Sequence, residues 1–162
     1  MTGGNGESIR ILVAEGNRRV REDLCRHLRS RGYMVAAAGS GEALLGLTRE
    51  GGDYAVVLMD INCGRTGGVD VIAELNRTHP GMPVVVTDAE PSVESVVGSL
   101  RSGVFEYVIR PYEIQDLADV VTRAVGRFEA KKQEAAGMTA ESVVVERPAG
   151  RQEGQARGGE PS

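Results

Sequence analysis

The chain reads as an α/β protein, a doubly wound parallel sheet of five strands with helices on both faces. Three features of its 162 residues point there. Apolar runs and helical patterns alternate five times along the chain. The runs are almost continuously apolar, as strands covered on both faces must be. Strict alternation of strand and helix implies parallel strands joined by right-handed crossovers.

The first run, Ile9 to Ala14 (IRILVA), is a β-rich strand. After it, Val20, Leu24 and Leu28 recur every four residues on one helical face, with Asn17 placed to cap the start and Gly32 to stop the end. YMVAAA from Tyr33 is the second strand, followed by a short helix that Ser40 caps and Gly51 ends. The third pair is YAVVLM from Tyr54 and a helix over Val69 to Asn76, whose Val71, Ile72 and Leu75 share a face. The fourth is Pro83 to Thr87 with a helix over Ser92 to Ser102, where Val93, Val96, Val97 and Leu100 recur at helical spacing, stopped at Gly103. The fifth is Phe105 to Ile109 and a helix carrying Leu117, Val120, Val121, Ala124, Val125 and Phe128 on one stripe.

These units set the domain boundaries: a flexible N-terminus over 1–7, one folded domain over 8–128, and a tail over 129–162. The tail is polar and rich in small residues, so it is expected to be mostly disordered beyond an extension of the last helix to about Ala136. Its one apolar patch, Ser142 to Glu146, is either a docking segment or incidental.

Composition narrows the function. Nineteen basic and 23 acidic residues leave a formal charge of −4, which gives no electrostatic case for nucleic acid or an anionic membrane as a partner. Cys25 and Cys63 lack the spacing of a zinc site, a redox motif or a disulfide framework. No signal-peptide core opens the chain and no apolar run is long enough to span a bilayer, so a cytoplasmic location is expected. Six arginines between Arg18 and Arg31 make a basic face, which is more simply a solvated helix surface than a docking site. His27, on the first helix, lacks the bundle a phosphorelay histidine needs.

In an open parallel sheet, ligands bind beyond the carboxyl ends of the strands. There the first strand hands over to Glu15, the third to Asp60, the fourth to Asp88 and the fifth to Arg110. Taken singly, an Asp after a strand is more often a turn former or cap, and Glu15 a surface residue. Three acids and a guanidinium on one rim favour a site.

With these residues in view, the chain resembles the receiver domain of two-component response regulators over about residues 8–128. ILVAEGN stands where that family has its first strand and acidic pair, VVLMDI where it has the phosphoacceptor aspartate, and GVFEYVIRPY where it has its Lys-Pro. The resemblance implies a flavodoxin-like strand order of 2-1-3-4-5. It also implies transfer of a phosphoryl group from a kinase histidine to Asp60, with Mg2+ held by carboxylates, Glu15 and Asp60, to shield two meeting anions. Tyr107 matches an aromatic whose rotation reports phosphorylation, and Pro111 a proline after a cis bond that aims Arg110 inward. The implied partners are a sensor histidine kinase or phosphotransfer protein and a downstream protein target.

The departures bear on the chemistry. The acidic pair is reduced to Glu15, one methylene longer, and Gly16, which has no side chain, so Mg2+ binding is expected to be weakened or lost. Asp88 replaces a hydroxyl; a carboxylate there repels an incoming phosphoryl group by roughly 4 kcal/mol at about 4 Å and an effective dielectric near 20. Arg110 replaces the lysine, and it is expected to pair with Asp88 or with Asp60, filling the pocket internally. The loop DINCGRTGG carries more glycine than the family's, which predicts a looser loop with Cys63 as a small filler.

Enzyme readings rank low. An aspartyl-phosphate phosphatase needs a second acid where Asn62 stands, and no P-loop or dinucleotide fingerprint is present. The first expectation is a stand-alone receiver protein of a phosphorelay, with Asp60 as acceptor and no separate catalytic or output domain. The alternative is an atypical receiver that never carries phosphate and acts as a protein interaction module.

Overall fold

The computed structural model describes residues 8–145, with side chains to residue 137. The expected flexible N-terminus and the tail from residue 146 lie outside the described residues. The chain divides into two units, the first ending at Phe128.

The elements alternate as expected: β1 (Arg10–Ala14), α1 (Arg18–Ser30), β2 (Met34–Ala38), α2 (Gly41–Arg49), β3 (Tyr54–Asp60), α3 (Gly68–Thr78), β4 (Val84–Asp88), α4 (Val93–Arg101), β5 (Glu106–Ile109) and α5 (Ile114–Val145). The strands form one parallel sheet in the order β2-β1-β3-β4-β5.

Local chemistry sets the helix ends. Asn17, Ser40 and Ser92 each accept from a backbone N–H in the first turn of α1, α2 and α4, satisfying donors that have no partner within the helix. Gly32 and Gly103 follow α1 and α4 at φ of 97° and 79°, where a Cβ would be strained. At Gly68, the first residue of α3, a Cβ would lie 2.2 Å from the carbonyl oxygen of Ile61, so only glycine lets this helix start so close to the loop after β3.

Strand ends shift by about a residue, and two helices run past their expected ends. α3 runs past Asn76 to Thr78, and α5 continues beyond Ala136 to Val145, so part of the presumed disordered tail is helical. The apolar stripe that guided the reading ends near Phe128, but the following Ala, Glu, Lys and Gln are strong helix formers without it.

Successive residues of the central strands serve opposite layers. Ile11, Val13, Val56, Leu58 and Val85 pack with α1 and α5 residues such as Leu28 and Val121. Leu12, Ala14, Val57, Met59, Val84 and Val86 pack with Leu44 of α2 and Ile72 and Leu75 of α3. Covering on both faces is what removed the polar alternation from these strands.

Candidate functional site

Strand order decides what meets at the rim. β1, β3 and β4 are consecutive neighbours, and β5 pairs with β4 through Asp88 and Ile109. Glu15 follows β1, Asp60 and Asp88 end β3 and β4, and Arg110 follows β5. All four expected residues therefore stand along one edge, and their side chains divide into two linked clusters.

The first cluster is centred on Arg110. Its Nη2 donates to Glu15 Oε1 at 2.5 Å and to Asp60 Oδ2 at 2.9 Å. The pair expected with Asp60 is present, whereas the pair considered with Asp88 is absent. Glu15, considered as a surface residue, is buried and takes that second partnership. The Arg110 side chain is 23% exposed, its Nε is buried without a hydrogen-bond partner, and its guanidinium carbon lies 5.7 Å from the centre of the Tyr112 ring. The peptide bond from Arg110 to Pro111 is cis.

Burial raises the pKa of Asp60 above the ordinary carboxylate value. The Asn62 N–H opposes this at 2.8 Å from Oδ1, the charge of Glu15 adds to it, Arg110 opposes it, and Asp88 adds again. For Arg110 burial works against the cation, but the charges of Glu15 and Asp60 outweigh it and raise its pKa.

The second cluster is centred on Asp88, which is fully buried. Tyr107 donates its hydroxyl to Oδ2, and Ser95 Oγ lies 3.2 Å from the same oxygen. Oδ1 accepts from the Glu90 N–H at 2.9 Å and from Asn62 Nδ2 at 3.4 Å. With its backbone on Asp60 and its side chain on Asp88, Asn62 links the two clusters. In the sequence Asn62 stands out only as a missing acid, and Ser95 does not stand out. The Ser-x-x-Ser spacing from Ser92, which forms a reciprocal capping box, was the available signal.

The loop after β3 is tethered, contrary to the looseness its glycines suggested. Glu42 of α2 accepts from the N–H groups of Arg65 and Thr66, and Gly41 donates to the Cys63 carbonyl. Cys63 is buried, which pushes its thiol up to about 11, consistent with a filler.

The donor set does not fit a resident Mg2+. Each carboxylate oxygen of Glu15 and Asp60 already accepts a hydrogen bond, from Arg110, Asn17, Asn62 and Arg110 again. A cationic guanidinium bridges the two acids that would have to supply ligands, and Gly16 offers none. Among the described residues no group of three or more His, Cys, Asp or Glu side chains is arranged to hold a metal ion.

Comparison with known proteins agrees with this architecture. The family model described as "Response regulator receiver domain" matches residues 11–122. The response regulator MprA of Mycolicibacterium vanbaalenii is 36% identical over 109 residues, covering 67% of this chain and 47% of that protein. The transcriptional regulatory protein ZraR of Klebsiella oxytoca is 31% identical over 145 residues, covering 90% of this chain and 30% of that protein. The chain thus spans about half or less of the length of these two relatives. Among solved structures, a CheY-like receiver domain protein from Methanospirillum hungatei superposes with a TM-score of 0.73 at 22% identity, covering 77% of this chain and 99% of that one. At that identity the likeness speaks for the fold alone.

Proposed function

The chain belongs to the response regulator receiver domain family, and from that membership we propose that it acts as an atypical receiver, a protein interaction module that works without a phosphoryl group. Receivers interact with histidine kinases or phosphotransfer proteins and generally bind Mg2+ in an acidic pocket. Here the carrying observation is Arg110, whose Nη2 is bonded to both Glu15 and Asp60. Phosphoryl transfer to a carboxylate needs a cation that shields the incoming charge. The guanidinium bonded to Asp60 is held between two carboxylates as their counter-ion. Asp88, linked to Asp60 through Asn62, adds a further negative charge that acts on Asp60.

The second reading, acceptance of a phosphoryl group by Asp60 in a phosphorelay, draws support from the placement of that residue. It ends a buried strand at the ligand-binding rim, with its side chain 12% exposed.

Incubating the full chain with a small phosphodonor and Mg2+, then measuring intact mass, separates the two. The expected result is no phosphoryl adduct in the wild type. A triple variant, Gly16→Asp, Asp88→Thr and Arg110→Lys, should gain one, since a Cβ at position 16 meets nothing nearer than the Gly39 carbonyl at 3.8 Å. A wild-type adduct that disappears in Asp60→Asn would overturn the proposal in favour of the second reading.

A further inference from the structure

We infer that Asp88 is a built-in positioning residue that holds Tyr107 and the first turn of α4 in one arrangement, so that the surface formed by α4 and β5 is presented in a single fixed form. The inference deepens the phosphoryl-independent reading and rests on it, since it names what keeps the α4 and β5 surface constant when no phosphoryl group arrives at the pocket.

The argument begins with how little else secures α4. Its one buried residue is Ser99, while Val93 and Leu100 are 82% and 58% exposed, and Val97 is exposed as well. A helix with so few buried apolar contacts lies at the low-stability end of a fold and is free to shift unless polar contacts tie it down.

Asp88 supplies those contacts from inside. Its two oxygens collect Tyr107 from β5, Ser95 from α4, the Glu90 N–H from the β4–α4 connection and Asn62 from the loop after β3. Ser95 Oγ also lies 3.1 Å from the Tyr107 hydroxyl, so side chains from β4, α4 and β5 meet at one point, where the single Ser95 proton goes either to the carboxylate or to Tyr107. Ser95 Oγ also accepts from the Ser92 N–H at 3.1 Å, so the capping box of α4 is continuous with the buried carboxylate. Hydrogen bonds to an ionised acceptor are about twice as strong as neutral ones, and a wholly buried carboxylate left without them carries a large desolvation penalty. Both effects resist any movement of Tyr107 outward or of α4 away from β4. Burial, with the hydrogen bond to Asp88 adding to it, raises the pKa of Tyr107, so its hydroxyl remains a donor throughout the physiological range. Ile109 of β5, 51% exposed, and the exposed Val97 and Leu100 belong to the surface these contacts set.

Amide hydrogen exchange on the full chain, followed residue by residue in the wild type, Tyr107→Phe and Asp88→Thr, tests this. Tyr107→Phe removes only the hydroxyl, so the test survives if the strand-end substitution fails to fold. The expected result is exchange at least about tenfold faster at Ser95 and Val96 in both variants, with the amides of α1 and α3 unchanged. General loss of stability would instead speed all three helices together, and that outcome, or unchanged exchange in α4, would overturn the inference. Intact mass after phosphodonor treatment of the same samples keeps the two proposals apart. A wild-type adduct with selective loosening of α4 in the variants sinks the phosphoryl-independent reading and leaves Asp88 in its role. No adduct together with an indifferent α4 does the reverse.

Discussion

Asp60 faces one attractive charge and two repulsive ones, and burial tips the balance. Its pKa is raised above the ordinary 3.8 by burial first, with Glu15 and Asp88 adding and the Asn62 N–H and Arg110 opposing. A carboxyl that holds its proton more tightly in the fold than in the unfolded chain contributes stability that is fully present below the ordinary value. That contribution is lost as pH rises through the raised value. Asp60→Asn cannot ionise, so it should be more stable than the wild type at pH 7, with the advantage shrinking to nothing as pH falls below 3.8. Urea unfolding of both proteins across that range measures it, and an Asn variant that loses ground as pH rises would show that Arg110 outweighs burial. The gathering of Glu15, Asp60, Asp88 and Arg110 was legible because strand ends in a parallel sheet share a rim. The choice of partner was not. It depends on reach: Arg110 extends to Glu15 and Asp60, while Asp88 is already satisfied by Tyr107, Glu90 and its other donors.

Among the elements, α4 shows both what a sequence discloses and what it hides. Its stop was readable from Gly103, since glycine answers a specific backbone need there, while the cap at Ser92 emerges only in the structure. Its valines and Leu100 suggested an apolar face turned to the core, yet Val93, Val97 and Leu100 face outward and the buried position is Ser99. Spacing alone does not say which side of a short helix meets the sheet. The Ser99 hydroxyl has no hydrogen-bond partner, and a buried polar group left unpaired costs about 1–3 kcal/mol. Ser99→Ala removes that group and improves helix propensity, so it should stabilise the protein by about 1 kcal/mol, read as a higher urea midpoint at constant slope. A loss of stability would mean the hydroxyl has a partner after all, a bound water being the natural one. At α5 the difference has another origin: past the apolar stripe the sequence suggests an extension only to about Ala136, whereas propensity carries the backbone on to Val145.

The sheet separates two cores, and what joins them is the chemistry of single strands. Neighbours such as Ile11 and Leu12, both fully buried, send their side chains to opposite layers, so neither layer can come apart without exposing the strand that also serves the other. This was the most legible level of the structure, because nearly continuous apolar runs alternating with helical patterns are what strands covered on both faces require. The arrangement makes a quantitative demand. Leu28 of α1 and Leu75 of α3 are each 1% exposed, one in each core. Leu28→Ala and Leu75→Ala should each lose about 2–5 kcal/mol through lost burial and the cavity left behind. The sheet lies between the two sites and they share no partner layer, so the double variant should lose the sum to within about 0.5 kcal/mol. The singles should still unfold in one transition, because the common strands couple the layers. Two separate transitions in either single variant, or a double-variant loss well short of the sum, would show that the layers do not share one cooperative sheet.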